Sequence, residues 1–365
     1  LLDPSGDTNM KGVVFRGERT LEILDFEDPT PGPGEAVIEM KASGMCGSDL
    51  HFYRNKPADV IRSLGFKDLA SRGMSEDTPI IGGHEPCGQI VAVGAGVDPR
   101  VFKVGDRVAV FHYEGCLHCD HCRTGWTQMC SHGADIHGVI KHGGHAHYMK
   151  VPATSLVHLP DEVSYAAGAA ISCGTGTAWG ALLRLNISAR DTLAVFGLGP
   201  VGLSAVQLAA AMGVEVIGVD IAADRVARAK EFGATHVIDG SKQDPIEEIQ
   251  KLTGGLGVTC AMDCAGGEVP KQQAVRSTRP WGRIALVAVG GNLNVDGMKD
   301  VIGKQRTIIG SYTFSEVGMK ECIHFVADHG VDVDKLFTDY WKLEQADEAY
   351  RLFDGQAGGK GAFLF

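Results

Sequence analysis

The sequence predicts an α/β chain in which a doubly wound parallel sheet is paired with a β-rich region. Three observations carry that expectation. Residues 10–110 contain short apolar or alternating runs (VVF, AVIEM, GQIVAVG, RVAVF) divided by turn residues such as PTPGPGE and KVGD. After about residue 163 the pattern changes to strands alternating with helices, which requires βαβ units. The 365 residues exceed one ordinary core, so two domains or one large α/β unit are expected.

The N-terminal runs are short and evenly spaced, as in a barrel-like region. YAAGAAISCGTGTAWGALLRL then reads as helix, TLAVFG as a buried strand, VGLSAVQLAAAMG as a helix and VEVIGVD as the next strand. DRVARAKEFG, HVID and IEEIQKLTG continue the alternation, and CAMDCAG, RIALVAVG and TIIGSY supply further strands. Residues 56–77 interrupt the first region. Val60, Ile61, Leu64 and Leu69 could line one side of a helix there, in either a surface insertion or a flap or subunit contact.

Composition narrows the function classes. Hydrophobic residues are 44% and charged residues 22%, ordinary for a globular protein. The net charge of −11 disfavours nucleic acid and anionic membranes as partners. No apolar run approaches the roughly twenty residues that span a bilayer. LLDPSGDTNMKGVVF lacks a basic region followed by an apolar stretch, so no signal peptide is expected. Met10 could be a native start, with residues 1–9 a native or appended extension. Ten cysteines in metal-like spacings, without a leader, favour a reduced, cytoplasmic setting over a disulfide framework.

In VFGLGPVG, Gly197, Gly199 and Gly202 fit G-x-G-x-x-G between a strand and a helix. Gly197 permits the tight turn, Gly199 the approach of a pyrophosphate and Gly202 close helix packing. Leu198, Pro200 and Val201 complete the loop, whose free N–H groups suit phosphate. Asp220 ends the next strand, placed for the ribose hydroxyls. With only Ile221 and Ala222 following it, NAD is expected over NADP. Arg225 is either a second ribose contact or a helix-surface ion-pair partner.

GCLHCDHCRTGWTQMC carries Cys116, Cys119, Cys122 and Cys130 as C-x2-C-x2-C-x7-C. Four thiolates complete a tetrahedral Zn²⁺, so the cluster is expected to be structural. An iron–sulfur cluster lacks its usual trailing proline, and a nucleic-acid finger lacks a following basic helix. A separate set offers a different centre: Cys46 in SGMCGSDLH, His84 and Glu85 in GGHEPCG, and Cys173 in ISCGTGTAWG.

With C-G-S-D-x-H at 46–51, G-H-E at 83–85, the cysteine lobe and the glycine motif, the chain resembles the zinc-dependent medium-chain dehydrogenase/reductases, the alcohol dehydrogenase superfamily, over residues 10–365. The resemblance implies a GroES-like catalytic domain (1–163), a Rossmann domain (164–304) and a return of 305–365 to the first. It implies two zinc ions per chain, one held by Cys46, His84 and Cys173 and one by the lobe. Asp49 orients His84, and Glu85 lies behind the metal or ligates it transiently. Ser48 sits beside the substrate oxygen, His51 leads the proton outward, and Thr177 and Val201 contact the nicotinamide. The implied reaction is hydride transfer between a small-molecule alcohol and NAD(H), in a homodimer or homotetramer.

His112 occupies a place where relatives carry a bulky aromatic near the substrate. It makes the pocket more polar or is a hydrogen-bonded structural histidine. A secondary or polyol-like alcohol is favoured. The alternatives are an internal redox epimerase or adduct dehydrogenase on the same fold, and a non-enzymatic scaffold protein. The intact ligand set argues against the last.

Overall fold

The computed structural model describes residues 9–66, 68–355 and 359–365, so most of the proposed N-terminal extension lies outside the described residues. The chain divides into two compact units. One runs through Cys173 and takes up Ser315–Ala327 and Phe337–Phe365; the other is Gly174–Phe314 with Asp328–Leu336.

In the first unit, seven strands form one sheet. Its path is Phe337–Trp341, Lys360–Leu364, Glu35–Gly44, Glu85–Val93, Arg107–Val110 and Leu156–His158, with Tyr148–Pro152 also pairing Glu35–Gly44. Glu35–Gly44 is central because alternate residues Ile38, Met40 and Ala42 are all fully buried. Asn9–Gly17 and Thr20–Glu27 make a separate antiparallel hairpin. The C-terminal strand joins the sheet by pairing Ala362 with Gly44 and Leu364 with Ala42.

The second unit holds six strands, all parallel. They lie in the order His236–Asp239, Glu215–Asp220, Thr192–Phe196, Val258–Asp263, Thr278–Leu286, Thr307–Gly310. That is the 3-2-1-4-5-6 order of a doubly wound Rossmann sheet. Val258–Asp263 is buried along its whole length, as a strand covered on both faces must be.

The unit boundaries fall later in the chain than 163 and 304. Thr307–Gly310 finds ladder partners on Arg283–Leu286, so the return begins after Phe314. The 56–77 segment also differs from expectation. Its helix is only Pro57–Ser63, and Leu64 is exposed. Gly65, at φ +99, turns the chain there. Val60, Ile61 and Leu69 pack into the same core as Phe15, Phe52 and Tyr350, which anchors the segment. No described helix is long and apolar enough to cross a membrane.

Candidate metal and dinucleotide sites

Three elements bring the scattered metal candidates together. Cys46 follows Glu35–Gly44, and His84 immediately precedes Glu85–Val93. Cys173 sits in a π-helical turn, Ile171–Thr175, that interrupts the helix predicted from the apolar run. Such one-turn widenings recur at functional sites. The ligand atoms of Cys46, His84, Glu85 and Cys173 all lie within 4.8 Å of one another. The two sulfurs are 3.9 Å apart. Thiolates on one tetrahedral zinc at ~2.3 Å are separated by about 3.8 Å, so the spacing fits the ion.

Asp49 stands behind His84, its Oδ1 accepting from Nδ1 at 2.9 Å. Its Oδ2 accepts the backbone N–H of Cys46 at 2.8 Å, tying two candidate ligands to one carboxylate. Ser48 Oγ lies 3.1 Å from His84 Nε2 and donates to the Cys46 sulfur at 3.2 Å. His51 is exposed on the short helix Asp49–Arg54.

Charges at this cluster are strongly coupled. A hydrogen bond from Cys173 and the nearby His84 hold the Cys46 thiol well below its ordinary value, against burial. The Cys173 thiol is correspondingly held well above it, by the hydrogen bond to Cys46 and by burial. Burial pushes the Glu85 carboxyl up to about 8, with Lys360 opposing. Glu85 is fully buried and ion-paired through Oε2 with Lys360, while its Oε1 has no hydrogen-bond partner among the described residues. An orphaned carboxylate oxygen beside two thiols and an imidazole is the donor set of a metal centre.

His112 is buried, with Nδ1 donating to the Ser172 carbonyl at 2.9 Å. Its ring meets the His84 ring edge-on at 5.2 Å. Burial, and then the nearby His84, keep its pKa well below the usual value. The hydrogen-bonded structural role has a partner here; contact with His84 keeps the residue beside the cluster.

Sequence reading missed four side chains around this centre: Lys360, Tyr350, His145 and Ser43. Lys360 Nζ also donates to the Met45 carbonyl at 3.2 Å. Tyr350 donates to Asp49 Oδ2 at 3.2 Å. His145 lies 2.6 Å from the Tyr350 hydroxyl and 2.7 Å from Ser43 Oγ. The two available signals were a histidine in GGHAHY and a lysine heading the apolar GAFLF, neither of which is diagnostic alone.

The lobe gathers Cys116, Cys119, Cys122 and Cys130 as the second group of clustered ligand atoms. Cys116 and Cys122 sulfurs are 4.0 Å apart, as are those of Cys119 and Cys130. Backbone N–H groups point at the sulfurs: Cys119 N to Cys116 at 3.3 Å, and Cys116 N to Cys130 at 3.4 Å. The amides of Cys122 and Ser131 pull the Cys119 thiol down to about 5. Amide donors stabilise thiolate, the form that binds metal. All four are free of disulfides.

In the second unit, each glycine of the dinucleotide motif has a separate geometry. Gly197 has φ +92, and a Cβ on it would lie 2.6 Å from Ala265 N. A Cβ on Gly202 would lie 1.8 Å from the Gly197 carbonyl, so helix and turn touch backbone to backbone. A Cβ on Gly199 would meet nothing within 4 Å, leaving open space at the N-terminus of helix Pro200–Ala211. That is where a helix binds phosphate. Leu198 is buried, while Pro200 and Val201 are half-buried. Thr177 is half-buried on helix Gly176–Arg184.

Asp220 is committed more deeply than its sequence position suggested. Its Oδ2 accepts from Leu198 N at 2.7 Å and its Oδ1 from Ala222 N at 2.9 Å. It therefore braces the glycine loop as well as ending the strand. Arg225 is half-buried, and no ion pair of it occurs among the described residues.

A Rossmann sheet and a β-rich unit that gathers Cys46, His84 and Cys173 as candidate ligands are the features of a zinc-dependent medium-chain dehydrogenase/reductase. Residues 32–161 match the alcohol dehydrogenase GroES-like domain family, and residues 200–328 match the zinc-binding dehydrogenase family. The chain is 38% identical to an uncharacterised zinc-type alcohol dehydrogenase-like protein, YphC, of Escherichia coli K12, over 96% of this chain and 97% of that one. It is 34% identical to sorbitol dehydrogenase of Bacillus subtilis, over 93% and 92% respectively. The crystal structure of 2R,3R-butanediol dehydrogenase from Bacillus subtilis is similar with a TM-score of 0.84 at 28% identity, covering 98% of this chain and 99% of that one. The chain belongs to the zinc-type alcohol dehydrogenase family, oxidoreductases acting on CH–OH groups.

Proposed function

We propose that the protein is a zinc- and NAD-dependent dehydrogenase of a secondary or polyol-like alcohol. The observation that carries this reading is the convergence of Cys46, His84 and Cys173 beside Ser48 and a buried Glu85. The similar sorbitol and butanediol dehydrogenases support the polyol-like class. Asp220 ending its strand, with no basic residue immediately after it, supports NAD.

In this reading Cys46, His84 and Cys173 hold a catalytic zinc, with Glu85 in reserve. The ion supplies Lewis acidity to an oxygen placed beside it. Ser48 would receive the substrate hydroxyl proton at Oγ and pass its own on through the nicotinamide ribose to His51, which is exposed and would release it to solvent. Gly197–Gly202 seat the pyrophosphate, Asp220 and Arg225 the ribose, and Thr177 and Val201 the nicotinamide, while His112 borders the substrate. A bound nicotinamide would supply the hydride acceptor for the substrate carbon. The lobe cysteines hold a second, structural zinc. We also assign a homo-oligomer, dimer or tetramer, in a reducing cytoplasmic setting that suits ten free cysteines.

The test is a spectrophotometric screen of NAD⁺ and NADP⁺ reduction over primary, secondary, polyol and aromatic alcohols, with metal analysis on the same sample. The expected result is about two zinc per chain and the highest kcat/KM with NAD⁺ and a secondary alcohol or polyol. A zinc-free chain of full activity would overturn the reading.

A further inference from the structure

We propose that Tyr350 is a positioning residue for the metal at Cys46, His84 and Cys173, acting through Asp49 at the end of a buried chain of hydrogen bonds. The inference rests on the zinc reading above. Its evidence is the arrangement Ser43–His145–Tyr350–Asp49–His84, in which Ser43, His145 and Tyr350 are fully buried and Asp49 is 2% exposed.

Donor and acceptor roles along the chain are forced. A carboxylate only accepts, so the Tyr350 hydroxyl donates to Asp49 Oδ2 at 3.2 Å. The same hydroxyl oxygen then accepts from His145 Nε2 at 2.6 Å, which places the His145 proton on Nε2. His145 Nδ1 is left bare and accepts from Ser43 Oγ at 2.7 Å. At the far end, Asp49 Oδ1 accepts from His84 Nδ1 at 2.9 Å, which leaves His84 Nε2 as the metal-facing nitrogen. Burial keeps His145 neutral, its pKa pushed down to about 4, and keeps Tyr350 a phenol. One proton order therefore runs from Ser43 to His84.

The mechanical consequence lies at Asp49. Its carboxylate has two side-chain partners, His84 on Oδ1 and Tyr350 on Oδ2, besides the Cys46 N–H. Without the phenol, Oδ2 keeps only the Cys46 N–H, and the plane that aims Oδ1 at His84 is less fixed. Partners of this kind behind a ligating histidine typically change metal affinity by 10–100-fold. Tyr350 comes from helix Ala346–Asp354, three hundred positions away, and its ring is held edge-on to Phe15 at 4.9 Å.

Zinc release to a chromophoric chelator tests this, using the purified holoenzyme. Cys46→Ser first identifies which release phase belongs to the Cys46 site and which to the lobe. Tyr350→Phe is expected to weaken zinc retention at the Cys46 site about tenfold and leave the lobe phase unchanged. His145→Gln, which can still donate to the phenol, is expected to stay close to wild type. His145→Leu is expected to fall with Tyr350→Phe, and it carries the test if Tyr350→Phe does not fold. Unchanged release in folded Tyr350→Phe or His145→Leu, from a wild type holding both zincs, overturns the inference alone. A wild type whose zinc content is unaffected by Cys46→Ser overturns the zinc reading and this inference with it.

Discussion

A Cβ on Gly83 would stand 2.3 Å from Nδ1 of His145. Gly83 also has φ +84, a conformation that L side chains adopt only with strain. The glycine pair before His84 interlocks with the pair at 143–144: Gly144 N donates to the Gly83 carbonyl at 2.7 Å. Gly83→Ala is therefore expected to displace His145 and shift His84. A lowered Tm together with zinc loss from the Cys46 site would be seen by calorimetry and metal analysis. An alanine variant with wild-type Tm and zinc content would show that the two loops are not mutually constrained.

The two cysteine sites are expected to fail differently. Cys46→Ser would remove one of the three ligands proposed for the catalytic zinc, so turnover should disappear while NADH binding stays nearly intact. Cys119→Ser opens a closed four-thiolate lobe, so thermal stability or assembly should fall first, with the remaining folded enzyme still active. Parallel kcat, fluorescence titration with NADH and melting curves separate these outcomes. Loss of turnover in well-folded Cys119→Ser would refute the structural assignment of the lobe.

Much of this was legible in the sequence because it is local. The glycine motif needs only eight residues in a row between a strand and a helix, and the lobe only fifteen. The period-two runs predicted the strands Glu35–Gly44 and Glu85–Val93. What was not legible is what tertiary pairing creates. Lys360 reaches Glu85 because its strand adds beside Glu35–Gly44, and Tyr350 reaches Asp49 from a helix far along the chain. Neither side chain has a spacing that marks it. In the 56–77 segment, apolar spacing suggested one helix, but Gly65 splits it and leaves Leu64 in solvent.

Gly199 and Gly202 distinguish a ligand role from a packing role within one motif. Gly202→Ala forces a methyl to within 1.8 Å of a backbone oxygen, so Tm and NADH binding should both fall. Overpacking of this kind costs roughly 1–3 kcal/mol or more. Gly199→Ala meets nothing in the protein, so its Tm should hold while the Kd for NADH rises. Equal loss of Tm in both variants would mean that the space at Gly199 is not reserved for phosphate.

Glu85 gives the zinc-stripped protein a pH dependence with a definite sign. Its folded pKa of about 8 lies above the ordinary 4.5, raised by burial against the pull of Lys360. Between those values the folded state holds a proton that the unfolded chain has released, so this group lowers stability as pH rises. Glu85→Gln cannot titrate. The Tm difference, variant minus wild type, should therefore grow from about pH 5 to pH 8 in zinc-free samples. A difference that is flat or shrinks across that window would place the Glu85 proton elsewhere.

Asp220 is expected to set cofactor choice and loop shape at once. Its two oxygens already accept Leu198 N–H and Ala222 N–H, and a carboxylate retains lone pairs for ribose hydroxyls. Asp220→Asn exchanges one acceptor for a donor, which must face either an amide N–H or a ribose hydroxyl. It also removes the negative charge that repels a 2′-phosphate. Hydrogen bonds to charged groups contribute about 1.5–3 kcal/mol, so kcat/KM for NAD⁺ should fall by roughly ten- to a hundredfold. The NADP⁺ value should fall less or rise, narrowing the preference. Steady-state kinetics with both cofactors measure the ratio directly. If the two values drop in proportion, Asp220 acts only as a brace for the glycine loop, and the proposed NAD preference loses this support.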